Sequence, residues 1–518
     1  MRLKGVAIKI KVSLYIASIV ILVGFGLGKT INNEISNGLS VFSIFFDQFK
    51  VGTFSPASGR LLDSQYEPEI VPEITPASDL PLLEISIKKK DLSKLKYSRR
   101  QALRTTQLLT YDDSYVRAKI RYDNNNFKAE VRLKGDLADH YGDQKSSLRV
   151  KIKKGDALFG MRRFSLQKPI VRNYSGEWLY QKIAFKERLI ALRYSFVQVI
   201  INDEYKGVYA MEEHFDKMLL EYNRRKEAPI IKMNEELVFG YGWDIYNLAR
   251  FKTYQEDKIF SSPLLATQYR VGNNLLENYR ENKVDVATVF DFRYYSKFSA
   301  LTDLTGAWHS LENHNMVFYF NPYTFLFEPI VFDGTFVGEH KAKELTISSR
   351  GNDPGSLVGS MFRNSLRYSN LYINNLRRMA EDDYLHALIE MNKSERHILN
   401  ASFGKDIDYP MKSIAYNHRK IKSLLEEESK LIISYDGLEQ LKIEPSGDFP
   451  LLIESITLGD QGIDRPNIVI SKILSAVPKK YELSINRPTE DNYEANTLNI
   501  RYLIAGKHYE QQHNLLKK

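Results

Sequence analysis

Alternation of apolar and polar residues, the period of a half-buried strand, first appears at LEISIK (83–88). It returns in YVRAKIRY (115–122), FKAEVRLKG (127–135) and SLRVKIKK (147–154). A turn-rich segment, GDALFGMRRFSLQKP, follows. Between Glu177 and Leu192 the period becomes helical, with Trp178, Ile183, Phe185 and Leu189 spaced for a buried face. FVQVIIND and EYKGVYAMEE (196–213) predict two strands around a turn at Asn202–Asp203. Helical spacing dominates from about Leu264 to Leu311, then NMVFYF and FLFEPIVFD predict a hairpin turning at Asn321–Pro322. The chain reads as largely helical from Asp333 to about Ser429. It ends in closely spaced short strands, KLIISY, LEQLKIE, LLIESITL, NIVIS, YELSI and TLNIRYLIA, which predict a small antiparallel β-sandwich.

Upstream the pattern differs. Val12 to Gly28 carries no charge and is flanked by Lys11 and Lys29, at the lower length limit of a spanning helix. A cleaved signal peptide competes with this reading, but no A-x-A site follows, so an uncleaved anchor is preferred. Its basic side is expected in the cytoplasm, which makes the protein single-pass at the plasma (inner) membrane with an extracytoplasmic main domain. Prolines and glycines then punctuate an extended linker that includes VPEITPASDLP. The expected fold class is α+β, divided into a cytoplasmic stub and transmembrane anchor (1–30), a linker (31–80), a main domain (81–429) and the β-sandwich (430–518).

Composition removes several function classes. The 518 residues hold no cysteine, which excludes a disulfide scaffold, a thiolate zinc site and a cysteine nucleophile. The net charge is +9, and Arg2, Lys4, Lys9 and Lys11 supply four of the nine, so the remainder is too mild for a nucleic-acid partner. No H-E-x-x-H or G-x-S-x-G occurs, while paired carboxylates for glycoside hydrolysis stay open.

The segment 300–335 holds the densest candidate chemistry. A helix ends near Gly306, a polar loop gathers His309, His314 and Asn315, and the hairpin's second strand delivers Asp333. An imidazole to orient a nucleophile, with an amide and a carboxylate for magnesium, is what phosphoryl transfer requires. Loop and helix capping by the same residues is the competing reading. A second constellation is basic: Lys145, Ser147, Arg149, Lys151 and Lys153 share strand parity, giving a face that suits phosphates or plain solvation. Glu212 or Glu213 could partner a strand lysine, and Lys232, inside the apolar run PIIKM, needs an anionic partner as well.

In order and spacing, LPLLEISI, VRLKGD with KSSLRVKIKK, LFGMRRFSLQKP, EWLYQKIAF, FVQVIINDEYKGVYAMEEHFD, IIK (230–232) and HN…FYFNP…EPIVFDG resemble the CotH-like atypical kinases, from about Leu80 to Ser429. The resemblance implies a kinase-like two-lobed CotH domain that uses ATP and magnesium or manganese to phosphorylate protein side chains. It implies Asp333 and Asn315 as metal ligands, and Lys145 or Lys151 with Glu213 and Lys232 at the nucleotide. Where such kinases commonly show G-N-x-D, this chain has Gly306-Ala307-Trp308-His309, so the base becomes His309, whose ordinary pKa near 6.5 suits the task. The expected acceptor is an envelope protein or glycan. The alternative is an inactive binding or assembly factor for a surface polymer or coat protein.

Overall fold

Strands whose side chains alternate between an apolar and a polar face can close on themselves and bury one face completely. Seven do so here among the residues described by this computed structural model, 79–515 without 106–107, 109–113, 136–137, 143–144, 154, 235–247, 335–343, 404–408, 438, 460 and 486–495. The barrel strands are β1 (Leu82–Ile87), β2 (Val116–Tyr122), β3 (Asn125–Leu133), β4 (Leu148–Ile152), β5 (Arg163–Gln167), β7 (Tyr194–Ile201) and β8 (Glu204–Glu213), in the order β1-β2-β3-β4-β5-β8-β7. Parallel pairing of β1 with β7, Leu82 opposite Gln198, closes the ring. Ile85, Ile120, Val131, Val150, Phe164, Val199 and Met211 fill the interior. The β7–β8 turn has Asn202 and Asp203 at φ 48° and 66°, the double left-handed step that a tight hairpin favours. Helix α1 (Lys89–Thr105) packs on β2 and β3; its amphipathic spacing escaped the sequence reading.

Between β5 and β7 the chain forms α2 (Gly176–Lys186) and a short strand β6 (Ile190–Ala191). β6 joins a second sheet with β9 (Ile230–Asn234), β10 (Arg250–Thr253), β11 (Val317–Phe320) and β12 (Phe327–Val331), in the order β10-β9-β11-β12-β6. Helix α3 (Lys217–Tyr222) follows β8; α4 (Glu256–Ser261), α5 (Pro263–Arg280) and α6 (Phe292–Thr305) lie between β10 and β11. Helices α7 (Thr346–Gly351), α8 (Leu357–Asn364), α9 (Leu366–Met379), α10 (Asp382–Met391), α11 (Lys393–Phe403) and α12 (Tyr409–Glu427) come after the hairpin. α6 is buried along nearly its whole length and packs on α9 and α12.

The final stretch forms two antiparallel sheets, one of β13 (Leu431–Tyr435), β14 (Gln440–Pro445) and β18 (Tyr481–Ser484). The other holds β15 (Leu451–Leu458), β16 (Gln461–Asp464), β17 (Ile468–Ile470), β19 (Thr497–Ile504) and β20 (Lys507–Asn514). Their apolar side chains, among them Ile443, Ile453 and Ile500, are continuous with the core around α6 and α9. Arg377 of α9 donates to the backbone oxygen of Ile504 at 2.8 Å. The chain is α+β, as its pattern predicts.

The expected inner-membrane location needs correction. No helix of the described residues is long and apolar enough to cross a membrane. The two longest, α5 and α12, have charged faces. The run 12–28 and the linker up to residue 78 lie outside the described residues.

Candidate active site

On the outside of the barrel, one cross-strand row reads Arg132, Arg149, Ser165, Glu212, Tyr194 across β3, β4, β5, β8 and β7. Strand parity dictates the row: the neighbours Val131, Val150, Phe164 and Met211 point into the apolar interior. Lys134 continues the outward parity one step past β3. Its ammonium donates to Glu212 Oε1 at 2.8 Å and to Gln167 Oε1 at 2.6 Å, while Gln167 Nε2 donates to Glu212 Oε2 at 3.0 Å. The turn after Lys134 needs a glycine. Gly135 has φ +100°, and a Cβ there would come within 2.1 Å of the His140 ring. Burial lowers Lys134 to about 8. Burial opposes ionisation of Glu212 too, but Lys134 and Arg172 outweigh it and hold that carboxyl below its usual range.

Asp333 stands just past β12, in the left-handed region at φ 57°, a conformation aspartate tolerates better than most residues. Arg172 Nη2 donates to its Oδ2 at 3.2 Å, and His309 Nδ1 lies 3.4 Å from its Oδ1. Asn315 Nδ2 is 3.1 Å from His309 Nδ1 and donates to the His309 carbonyl at 3.1 Å. His309, Asn315 and Asp333 therefore meet around one point. Burial disfavours the His309 cation, but its hydrogen bond to Asp333 and that carboxylate's charge more than offset this, and its pKa is raised.

The turn at Asp333 is fastened from α2. Gly334 N–H donates to Glu177 Oε2 at 2.7 Å, and Gln181 Nε2 donates to Glu177 Oε1 at 2.7 Å and to the Val331 carbonyl at 3.1 Å. Burial pushes Glu177 up to about 7, and the nearby Asp333 charge adds to this. Arg172 faces Asp333, Glu212 and Glu177 together, so one guanidinium links the barrel row to the hairpin turn.

The residues assigned from sequence divide. Lys145 donates to the Val208 carbonyl at 2.8 Å and lies over the Tyr209 ring, which makes it a fastening of β8. Lys151 lies over the Tyr115 ring at 3.9 Å. Glu213 points away from Lys134 and is held by Arg193, whose Nε donates to it at 3.0 Å. Lys232 stands on β9 opposite Val317 of β11, close enough for its charge to lower the His314 pKa beside burial and His309. Asp303 is a buried structural carboxyl, bonded to Thr346 N at 2.8 Å and Tyr372 Oη at 2.5 Å. Lys134, Glu177 and Arg172 were missed. Lys134 was legible in the parity of AEVRLK, whereas Arg172 and Glu177 sit in turn and helix positions that no periodicity singles out.

Against this geometry, the profile of the CotH kinase protein family matches residues 131–402, over half of the chain, from β3 to the end of α11. The chain belongs to the CotH kinase protein family. No curated protein matches it.

Kinase-like families generally use a nucleotide and a divalent metal, and the residues present can be tested against both. Arg149 Nε is buried with no hydrogen bond, and burial lowers the Arg149 pKa. Lys134 lies close to both Arg149 and Arg172, and the three form a cation set that suits phosphate oxygens. For the metal, Asp333 and Asn315 offer hard oxygen donors, while no group of three or more acidic or histidine side chains among the described residues could hold an ion by itself. That fits magnesium, which takes one or two protein ligands and completes its shell with phosphate and water.

Proposed function

We propose that this CotH kinase family member transfers a phosphoryl group from a nucleoside triphosphate, with magnesium or manganese, to a hydroxyl of a protein or glycan. The observation that carries the reading is the buried Lys134–Glu212 pair joined through Arg172 to Asp333, with His309 and Asn315 beside it. A strand lysine paired to a glutamate, facing a metal-binding aspartate, is the arrangement that kinase-like phosphoryl transfer uses.

In this reading the barrel is the nucleotide lobe, the part around α6 is the acceptor lobe, and the C-terminal sheets form a β-sandwich appended to it. Lys134 and Arg149 hold the phosphates, Glu212 keeps Lys134 in place, and Lys232 flanks the acceptor side. Asp333 and Asn315 would hold the metal, which when bound neutralises charge on the phosphate oxygens. His309 takes the proton of the acceptor hydroxyl, and Asp333 orients its ring.

One observation favours the second reading, a non-catalytic binding factor. Both Asp333 oxygens already face cationic or imidazole nitrogens, from Arg172 and His309. Magnesium-dependent nucleotide binding by the chain, compared with Asp333→Ala, separates the two. Binding that needs both magnesium and Asp333 supports the kinase, and binding indifferent to both leaves the binding factor.

A further inference from the structure

One side of the His309 turn carries chemistry that nucleotide and metal do not use. Trp308 is 37% exposed, and its ring stands edge-on to the His309 imidazole, centroids 6.1 Å apart. Arg350, in the last turn of α7, places its guanidinium 5.9 Å from the indole centroid and donates to Glu312 Oε1 at 2.6 Å. Trp308, His309 and Glu312 belong to one short 3-10 turn and its cap, which two contacts fasten. Ser310 Oγ lies 2.8 Å from the Tyr180 hydroxyl of α2, and Asn313 bonds the Gly355 carbonyl at 2.7 Å and the Leu357 amide at 3.1 Å. The platform is thus built into the same rigid turn as the candidate base.

A single half-exposed aromatic on a surface is ordinary. Its company is what narrows the ligand. A half-exposed indole with a guanidinium over it, and a carboxylate bonded to that guanidinium, matches a pyranose, whose C–H face is apolar and whose edge carries vicinal hydroxyls. A carboxylate accepts from adjacent hydroxyls, and a guanidinium donates to them from a planar fork.

We propose that Trp308, Glu312 and Arg350 form an acceptor subsite for a neutral glycan and present one of its hydroxyls to His309. The assignment rests on the phosphotransfer reading. The hydroxyl O–H bond breaks and its proton passes to the His309 imidazole. The oxygen bonds the terminal phosphorus of the nucleoside triphosphate, and the bond from that phosphorus to its bridging oxygen breaks. A sugar phosphate and a nucleoside diphosphate leave.

Calorimetry of the full chain against cellohexaose, maltohexaose, chitohexaose and a serine-rich peptide tests this, with magnesium–nucleotide binding measured on the same preparations. At least one hexasaccharide is expected to bind. Trp308→Ala and Glu312→Gln should each weaken it about tenfold, while Trp308→Phe retains most of the affinity. Binding of the peptide alone, of no probe, or with unchanged affinity in Trp308→Ala would overturn the subsite. Nucleotide binding without glycan binding sinks this inference and spares the kinase. Glycan binding lost in Trp308→Ala, in a chain that ignores nucleotide, supports the subsite and sinks the phosphotransfer.

Discussion

Lys134 Nζ and Glu212 Oε1 stand 2.8 Å apart across 78 residues of sequence, on the face of the barrel turned away from its apolar interior. Both side chains are nearly sealed from water, at 10% and 2% exposure. A pair buried to this degree gives little net stability, yet removing one member strands the other charge. Lys134→Met should therefore cost about 3–5 kcal/mol in urea unfolding. Replacing both, Lys134→Met with Glu212→Leu, should return most of that stability. Nucleotide titration of the double variant should still find no binding.

Asp333 joins Arg172, His309 and the proposed metal, so its removal acts on binding rather than folding alone. Asp333→Ala should abolish the magnesium dependence of nucleotide binding. Asp333→Asn, which keeps shape but not charge, should weaken that dependence at least tenfold, read by titrating magnesium at fixed nucleotide.

The raised pKa of His309 sets the direction of its pH dependence. The His309–Asp333 ion pair is complete below the ordinary imidazole value and is lost as pH rises through the elevated one. Proton acceptance needs the neutral ring, so turnover should climb with pH as the imidazole loses its proton. In His309→Ala the rate should fall by about 10²–10⁴ and lose this inflection.

Asp303 offers a stability test outside the site. Burial raises its pKa to about 7 against the hydrogen bonds from Tyr372 and Thr346. The folded state thus holds a proton the unfolded chain has released. Its contribution is whole below pH 4, and it fades as pH climbs through about 7. Denaturation midpoints should fall across that window, with a slope approaching about 1.4 kcal/mol per pH unit. Asp303→Asn should remove the slope.

The roles of Lys151 and Glu213 are testable too. Lys151→Ala should leave nucleotide affinity within about twofold, because its ammonium rests on Tyr115 rather than on Glu212. Glu213→Ala should destabilise the fold by about 3 kcal/mol, since Arg193 loses its buried partner.

What the sequence disclosed follows from which signals are periodic. Strand alternation and the Asn202–Asp203 turn located the barrel strands, and the 300–335 segment brought His309, Asn315 and Asp333 together because helix end, loop and hairpin are each local. Lysine choice was different. Parity separates in from out, but Lys145 lies before β4 and Lys151 looks toward Tyr115, while Lys134 reaches Glu212 because the barrel curves β3 and β8 around to a common face. Glu212 and Glu213, one residue apart, fall on opposite sides of the strand, so the first meets Lys134 and the second Arg193. Arg172 acts through contacts 161 residues away, beyond the reach of any local pattern.

The fastening of Gly334 to Glu177 spans 157 residues, and this orders events during synthesis. A nascent chain that has released α2, but still holds the hairpin in the ribosome, carries a carboxyl group whose amide partner does not yet exist. The barrel strands are translated by then, so the barrel can assemble first. The turn at Asp333 can be fastened to α2 only when the last strand of the hairpin emerges.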